Sequence, residues 1–196
     1  VADRVRKVVV SHPYDSSAAK TNVWEVLDLS TTGALTRPSP NVTFTMGVGM
    51  DGEVVFTPDG EVGIAVQDDG SLGVFRLDQS GTPHVVHTGF GDPDTSFYAD
   101  RVVMDPDGTG AWVVDGEWRN IGGGIYRIDI GCDGTLTDQG RIAEAKLPAG
   151  LVLLADGRAV VAATDVLDST AGTGGNDVHL LGSLEPPALT ASVSAF

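Results

Sequence analysis

The chain is short of cysteine, of basic residues and of long hydrophobic runs. Cys132 is the single cysteine among 196 residues, which excludes an intramolecular disulfide and a multi-cysteine zinc site. Its 12 Lys and Arg stand against 27 Asp and Glu, a net charge of −15, so general attraction to nucleic acid or anionic lipid is excluded as a main function. The longest apolar stretches, such as 151–154, are too short to span a bilayer. We therefore expect no nucleic-acid partner and no membrane span.

Residues 1–7 lack the apolar core of a secretory signal, so a targeting peptide is either absent or already removed. A single cysteine is compatible with export. We expect a secreted, periplasmic or cell-surface protein.

Glycine is abundant instead, with 26 residues, beside a hydrophobic content of 41%. This combination predicts many tight turns that join short apolar segments around a buried core. No window of helical length shows sustained apolar spacing at i, i+3, i+4 and i+7. The composition therefore favours an all-β fold.

Three turn sequences repeat at nearly constant spacing. Their glycines, Gly60, Gly108 and Gly157, are 48 and then 49 residues apart, and an apolar run precedes and follows each turn. Proline presets the first turn torsion, aspartate bonds its own backbone, and glycine accepts a positive φ. Each unit is therefore predicted to begin with a β-hairpin.

Each hairpin is followed by two further strand candidates, which gives four short strands per unit. Such a unit is typical of a β-propeller blade. A β-sandwich also has many short strands, but it does not explain the regular turns. We predict an all-β propeller region over 1–196 with four-stranded antiparallel blades, divided approximately into 1–48, 49–97, 98–147 and 148–196.

The predicted blades do not close a ring comfortably. The first blade lacks a candidate for its innermost strand, and the last blade needs 188–196 as its own fourth strand. The length is compatible with a four-bladed ring. We nevertheless expect an incomplete portion, about four blades, of a larger propeller that further sequence or another chain completes.

Two stretches carry a family resemblance. Residues 74–83 (Val-Phe-Arg-Leu-Asp-Gln-Ser-Gly-Thr-Pro) and 125–137 (Ile-Tyr-Arg-Ile-Asp-Ile-Gly-Cys-Asp-Gly-Thr-Leu-Thr) resemble the bacterial lactonase-type seven-bladed propellers and the related YVTN and NHL repeats. Residues 99–115 are similar to the repeat of the gluconolactonase and senescence-marker family. The resemblance implies a propeller fold. The second family further implies metal-dependent lactonase activity, with a carboxylate at the position of Asp100 that helps to hold a divalent cation.

Long connections are predicted to gather on one face of the blades, which is where binding groups usually lie. Trp118, flanked by Glu117 and Arg119 on a glycine-rich loop, could stack on a sugar or a partner side chain, or could fold back onto its own blade. The candidate partner-binding residues are Trp118, Arg119, Phe97, Tyr98, His12 and Tyr14, with a hydrogen-bonded structural role as the alternative for His12.

Carboxylates near the mouth of the predicted channel suit a hard cation such as Ca²⁺. The candidates are Asp100, Asp51 and Glu53, although Asp100 could instead pair with the adjacent Arg101. Asparagine ligands of the gluconolactonase family have no counterpart here. No nucleophile elbow of the Gly-x-Ser-x-Gly type occurs.

We therefore favour a non-catalytic binding or scaffold module that requires no cofactor and presents its long loops to a protein or glycan. The alternative is a lactonase-type hydrolase with a divalent cation at the channel mouth. A purely structural role in a surface layer is not distinguished from the first hypothesis by sequence.

Overall fold

The computed structural model shows an all-β chain. It describes residues 6–12, 21–48, 54–91, 96–116, 123–145, 148–156, 158–164, 176–181 and 189–195. These residues form strands, turns and short irregular connections, without a helix. No helix among them is therefore long and apolar enough to cross a bilayer.

The first sheet is built around a central strand. It contains β1 (Arg6–His12), β2 (Thr21–Leu29), β3 (Leu35–Thr36) and β4 (Val42–Val48). β2 pairs antiparallel with β1 along one edge, and with β3 and then β4 along the other. β3 and β4 thus act as one interrupted outer strand, and the sheet has three rows.

The other three sheets each contain four rows in chain order. The second sheet contains β5 (Val54–Phe56), β6 (Val62–Val66), β7 (Leu72–Leu77) and β8 (Pro83–Phe90). The third contains β9 (Ala99–Met104), β10 (Gly110–Asp115), β11 (Gly124–Ile130) and β12 (Leu136–Glu144). The fourth contains β13 (Pro148–Leu153), β14 (Ala159–Thr164), β15 (Asn176–Leu181) and β16 (Leu189–Ala195). All pairings are antiparallel, as the sequence predicts.

The predicted aspartate-glycine hairpins are present. Gly60 and Gly108 have φ values of +74° and +75°, which glycine adopts without the steric cost that a Cβ brings. Thr57 N–H donates to Val62 O across the first turn, and Asp105 N–H donates to Gly110 O across the second. The repeat in the sequence is thus a repeat of turn geometry.

Corresponding positions follow from these turns. The turn after β2 closes with a Ser30 N–H to Ala34 O bond, and the turn after β7 closes with Asp78 N–H to Thr82 O. β4 also contacts β8, the fourth row of the second sheet, so β2 corresponds to β7, the third row of that sheet. The row missing from the first sheet is the innermost one, as expected from the sequence.

Three apolar cores lie between successive sheets. Trp24 and Trp112, which the sequence predicts to pack between blades, are each 1% exposed. Burying a large apolar side chain stabilises the fold by roughly 1.5–3 kcal/mol. The cores join the first and second sheets (Trp24, Val26, Ala65, Phe75), the second and third (Ile64, Val74, Val102, Ile128), and the third and fourth (Trp112, Ile125, Leu151, Val161).

The strand ends form two distinct surfaces, which we call the turn end and the loop end. At the turn end, a Cβ added to Gly108 would lie 2.5 Å from Pro58 Cδ, so the 57–61 and 105–109 turns touch. At the loop end, Gly70 lies against the ring of Tyr98, and Gly123 lies near Pro148. His12, at the other end of β1 from Lys7, belongs to the loop end because Lys7 contacts Gly81 of the 78–82 turn.

The outward faces of the first and fourth sheets are apolar. Leu27 and Leu29 correspond to Phe75 and Leu77, which are buried against the first sheet, yet both are only partly buried. On the fourth sheet, Val160 corresponds to the buried Trp112, and its neighbours Val152 and Val178 are 61% and 39% exposed. Positions that hold neighbouring sheets together inside the stack are therefore open at both of its ends.

Candidate functional site

The loop end carries the longer connections. Three of them, 13–20, 91–98 and 116–123, have eight residues each, and 165–175 has eleven. The 49–53, 67–71 and 145–147 connections at the same end are shorter. The turn end instead repeats five-residue connections, at 30–34, 57–61, 78–82, 105–109, 131–135 and 154–158. The candidate site is therefore the loop end.

Asp100 occupies a β-bulge at the loop end of β9. Arg101 lies opposite Val114 and Ala99 lies opposite Asp115, so Asp100 has no residue directly across from it in the ladder. β13 has the same irregularity at Ala149, between Pro148 and Gly150. Bulges turn a side chain away from the regular alternation and are frequent beside functional sites. Asp100, which is exposed, lies at such a bulge.

The Asp100 carboxylate lies against the first residue of the Trp118 connection. A Cβ added to Gly116 would overlap the Oδ2 atom of Asp100. Only glycine allows the carboxylate to approach the backbone this closely. The structure thus brings Asp100 next to the base of the loop that carries Trp118. The predicted site residues Trp118, Arg119, Tyr14, Asp51 and Glu53 lie outside the described residues.

Phe97 is a core residue, so the expectation that its ring contributes to an exposed surface is wrong. It is 1% exposed and packs edge-on against Tyr126, with ring centroids 5.5 Å apart. A Cβ on Gly91 would meet the same ring, so Gly91 and Phe97 lie in contact. The aromatic residue that the sequence assigns to a partner instead fastens the 91–98 connection to the third sheet.

Tyr98 lies at the loop end, and its side chain makes contacts within the fold. Its hydroxyl donates to the carbonyl oxygen of Asp68 at 2.8 Å, and its ring covers Gly70. This contact ties the 91–98 connection to the 67–71 turn. Partner binding by Tyr98 stays a prediction. Its side chain is half-buried, and the remaining exposed part of the ring is the surface that a partner would contact.

His12 is exposed and lies beside a buried carboxylate. Its Nε2 atom is 3.4 Å from Glu25 Oε2, while the other Glu25 oxygen is 2.7 Å from Arg37 Nε. The Glu25 side chain is 8% exposed, which makes it a charged group that needs these partners. Both contacts of Glu25 lie on the outward face of the first sheet, so His12 makes a structural contact there. Partner binding by His12 stays a prediction.

Carboxylates at the turn end are held by their own turns. Hydrogen bonds from Thr109 to Asp107 lower the pKa of that carboxyl, and the Thr135 hydroxyl does the same for Asp133. The Arg158 guanidinium lowers the pKa of Asp156, and the Ser80 hydroxyl lowers that of Asp78 strongly. These aspartates are turn-forming groups, although they account for part of the acidic charge.

Of the three carboxylates that the sequence proposes as metal ligands, Asp100 is the one that belongs to the described residues. Among the described residues, no group of three or more His, Cys, Asp or Glu side chains is arranged to hold a metal ion. Asp100 alone supplies too few of the six to eight oxygen ligands that Ca²⁺ takes. A cation at Asp100 would therefore need ligands from the connections outside the described residues, which contain Asp51 and Glu53.

Sequence reasoning missed two features of the loop end. Gln67 is buried, accepts a hydrogen bond from the Ser71 hydroxyl at 2.9 Å, and presses its amide against Gly47. Glu25, also buried, belongs to a predicted strand, and the sequence assigns it no role. Neither residue belongs to a motif. The only signal in the sequence is a polar residue inside an otherwise apolar strand pattern. This signal does not show which residue the polar side chain contacts.

The comparisons with known proteins concern the fold. No family model matches the chain, and no curated protein matches it. Among solved structures, a protein from Lactobacillus plantarum matches with a TM-score of 0.64 and 17% identity, covering 94% of this chain and 55% of that one. A candidate 6-phosphogluconolactonase from Bacteroides uniformis matches with a TM-score of 0.54 and 14% identity, over 99% and 70% of the two chains.

A eukaryotic initiation factor gives a TM-score of 0.50 at 12% identity, over 98% of this chain and 52% of that one. At these identities the matches show a shared fold and nothing of function. The chain spans about half the length of the Lactobacillus plantarum protein. The resemblance to lactonase-like proteins is thus present at the level of structure.

Proposed function

We propose that the four sheets are blades of a β-propeller and that the loop end is its binding face. Support for the propeller comes from four antiparallel sheets in chain order, packed face to face, and from contacts between the innermost strands β5, β9 and β13. A structural neighbour that is a candidate 6-phosphogluconolactonase agrees with the lactonase-like resemblance in the sequence.

The propeller is incomplete in this chain. The apolar outward faces of the first and fourth sheets, exemplified by Leu27 and Val160, correspond to faces that are buried inside the stack. Exposed apolar faces of this kind mark contact surfaces. Further blades, from additional sequence or another chain, would cover them. The greater length of the Lactobacillus plantarum protein is in keeping with additional sequence.

The function that this arrangement supports best is binding of a protein or glycan outside the cytoplasm, without a required cofactor. The observation that carries it is the asymmetry between the two ends: the hairpin connections at the turn end have five residues in six cases and seven at 182–188, whereas four connections at the loop end have eight to eleven residues. Elaborated loops on one end of a rigid scaffold are the usual place for recognition. Trp118 and Arg119 are the proposed contact residues, with Tyr98 beside them.

The test uses the single, exposed Cys132, which lies in the 131–135 turn. The protein is coupled to a surface through this thiol, so the loop end faces the solution, and is probed with glycan and extracellular-protein arrays. We expect Trp118→Ala to weaken a captured ligand at least about tenfold, since aromatic anchors dominate such sites. Trp118→Phe should retain part of the binding, and Asp129→Ala at the turn end should leave it unchanged. Equal binding by Trp118→Ala would contradict the proposal.

A lactonase-type hydrolase is the second candidate, and the bulge at Asp100 is the observation that favours it. Its test is hydrolysis of a panel of sugar and acyl lactones with calcium, zinc or manganese added. Turnover that depends on a divalent cation and is lost in Asp100→Ala, but kept in Asp129→Ala, would support this activity. No turnover, together with equal metal binding by wild type and Asp100→Ala, would exclude it.

A further inference from the structure

The inner edge of β1 differs from its counterparts. β6, β10 and β14 each pair with a strand on both edges. β1 pairs with β2 along one edge, and no described strand lies along the other. In an antiparallel sheet, alternate residues direct their N–H and C=O groups toward such an open edge, which makes it a template for another strand.

The position of Val9 shows what the open edge lacks. Counting from the turns that follow β2 and β7, Val26 corresponds to Val74, so their partners Val9 and Ile64 also correspond. Ile64 lies opposite Val55 of the inner strand β5 and is fully buried. Val9 has no such residue opposite it among the described strands and is only partly buried at the margin of its core.

The three inner strands share one pattern, which is three consecutive apolar residues before the turn. The middle residue lies opposite one corresponding position of the second strand: Val55 opposite Ile64, Val103 opposite Trp112, and Val152 opposite Val160. Its two neighbours face the preceding sheet. The shared triplets are Val54–Phe56, Val102–Met104 and Leu151–Leu153.

We propose that β1 takes up one further antiparallel strand with such an apolar triplet, its middle residue opposite Val9, contributed by additional sequence of a longer polypeptide. The inference rests on the proposed propeller. The inner strands of neighbouring sheets contact each other, as β5 and β9 do, so a strand paired with β1 is expected to lie beside β5. The longer matching chains favour additional sequence as the source.

The first probe is a synthetic peptide with the sequence of 149–156 (Ala-Gly-Leu-Val-Leu-Leu-Ala-Asp), an inner strand of the same chain. Amide hydrogen exchange of Lys7–Ser11 is measured with and without it. We expect exchange in β1 to slow about tenfold or more, as binding to the folded state protects the edge. A control peptide with Val152→Pro loses a ladder donor and should give no protection.

A tethered version removes any dependence on peptide affinity. The same strand, followed by an Asp-Gly turn, is fused ahead of Val1 and compared with a fusion that carries the Val152→Pro change. The proposal requires protected β1 amides and a higher Tm in the first fusion alone. Equal Tm and equal exchange in both fusions would overturn it. Protection of β1 in the unmodified chain that disappears on dilution would also overturn it, since a second copy would then occupy the edge.

This test is independent of ligand binding at the loop end. If strand uptake succeeds while the arrays capture nothing, the binding proposal fails and the propeller stands. If the arrays capture a ligand while β1 stays open, the strand proposal alone fails.

Discussion

At the turn end, one design is used repeatedly, whereas the loop end differs from sheet to sheet. Six turn-end hairpins have five-residue connections, and in five of these an aspartate accepts the backbone N–H two residues on, as Asp107 does from Thr109 at 3.0 Å. At the loop end, one connection is a tight turn at 67–71, whereas its neighbour, 91–98, has eight residues and contacts that turn through Tyr98. The repeated end holds the scaffold together, and the variable end is free to carry function.

The comparison predicts that removing Asp105 gives the largest loss of stability. Its carboxylate accepts from Trp112 Nε1 at 2.8 Å and pairs with Arg127 at 2.5 Å, and Arg127 in turn covers the Trp112 ring. Asp105→Ala should lower the free energy of unfolding by about 2–4 kcal/mol, because it leaves the buried Trp112 donor without its acceptor and leaves Arg127 only its longer contact with Asp129. Urea denaturation measures the loss.

The matched control for Asp105 is Asp129→Ala. Asp129 is half exposed and lies 3.8 Å from Arg127 Nε, so its removal should change stability by less than about 0.5 kcal/mol. Equal losses of unfolding free energy in the two variants would show that the contacts of Asp105 with Trp112 and Arg127 do not stabilise the turn end.

A second prediction compares two turn glycines with nearly the same φ. Gly60→Ala meets no atom within 4 Å and should cost about 1 kcal/mol from backbone strain alone. Gly108→Ala would also press against Pro58 of the adjacent turn and should cost about 2 kcal/mol or more. Thermal unfolding of both variants tests whether the turns of neighbouring sheets pack together as described; indistinguishable Tm values would argue against that packing.

A third prediction concerns the loop end. Tyr98→Phe removes the hydroxyl that donates to Asp68 O, with the ring retained over Gly70. We expect a loss of about 1 kcal/mol, typical of one hydrogen bond. Hydrogen exchange should accelerate in 67–71 and 96–98, with the turn end unchanged. Faster hydrogen exchange at both ends would contradict the expectation that this hydrogen bond stabilises the loop end alone.

The smallest effect concerns pH. Asp107, Asp133 and Asp156 have pKa values below the ordinary 3.8 because their turns donate hydrogen bonds to the ionised form. Folding therefore favours ionised carboxylates, a contribution fully present well above pH 3.8 and lost as the pH falls through the lower folded pKa values. Asp107→Asn should flatten the acid side of the Tm profile slightly. A profile as steep as that of wild type would contradict this role.

The regular part of the fold follows from the sequence, while the site depends on contacts that no local pattern contains. Turn residues at Gly60 and Gly108 act within a few positions of the chain, so their spacing predicts the hairpins and the row order. Phe97 could not be assigned correctly, because its burial depends on Tyr126, which is distant in sequence. Asp100 is a candidate because residues 99–115 resemble a family repeat, but its bulge depends on pairing with β10.

The central claim is that this stack of sheets is an incomplete propeller with apolar faces open at both ends. Sedimentation velocity of the 196-residue chain over a range of concentrations, with binding of a hydrophobic dye followed in parallel, tests it most directly. The account predicts concentration-dependent association together with dye binding that falls when Val152 and Val178, on the open face of the fourth sheet, are replaced by Thr. A 20.3 kDa monomer at every concentration, with cooperative unfolding and no dye binding, would contradict it.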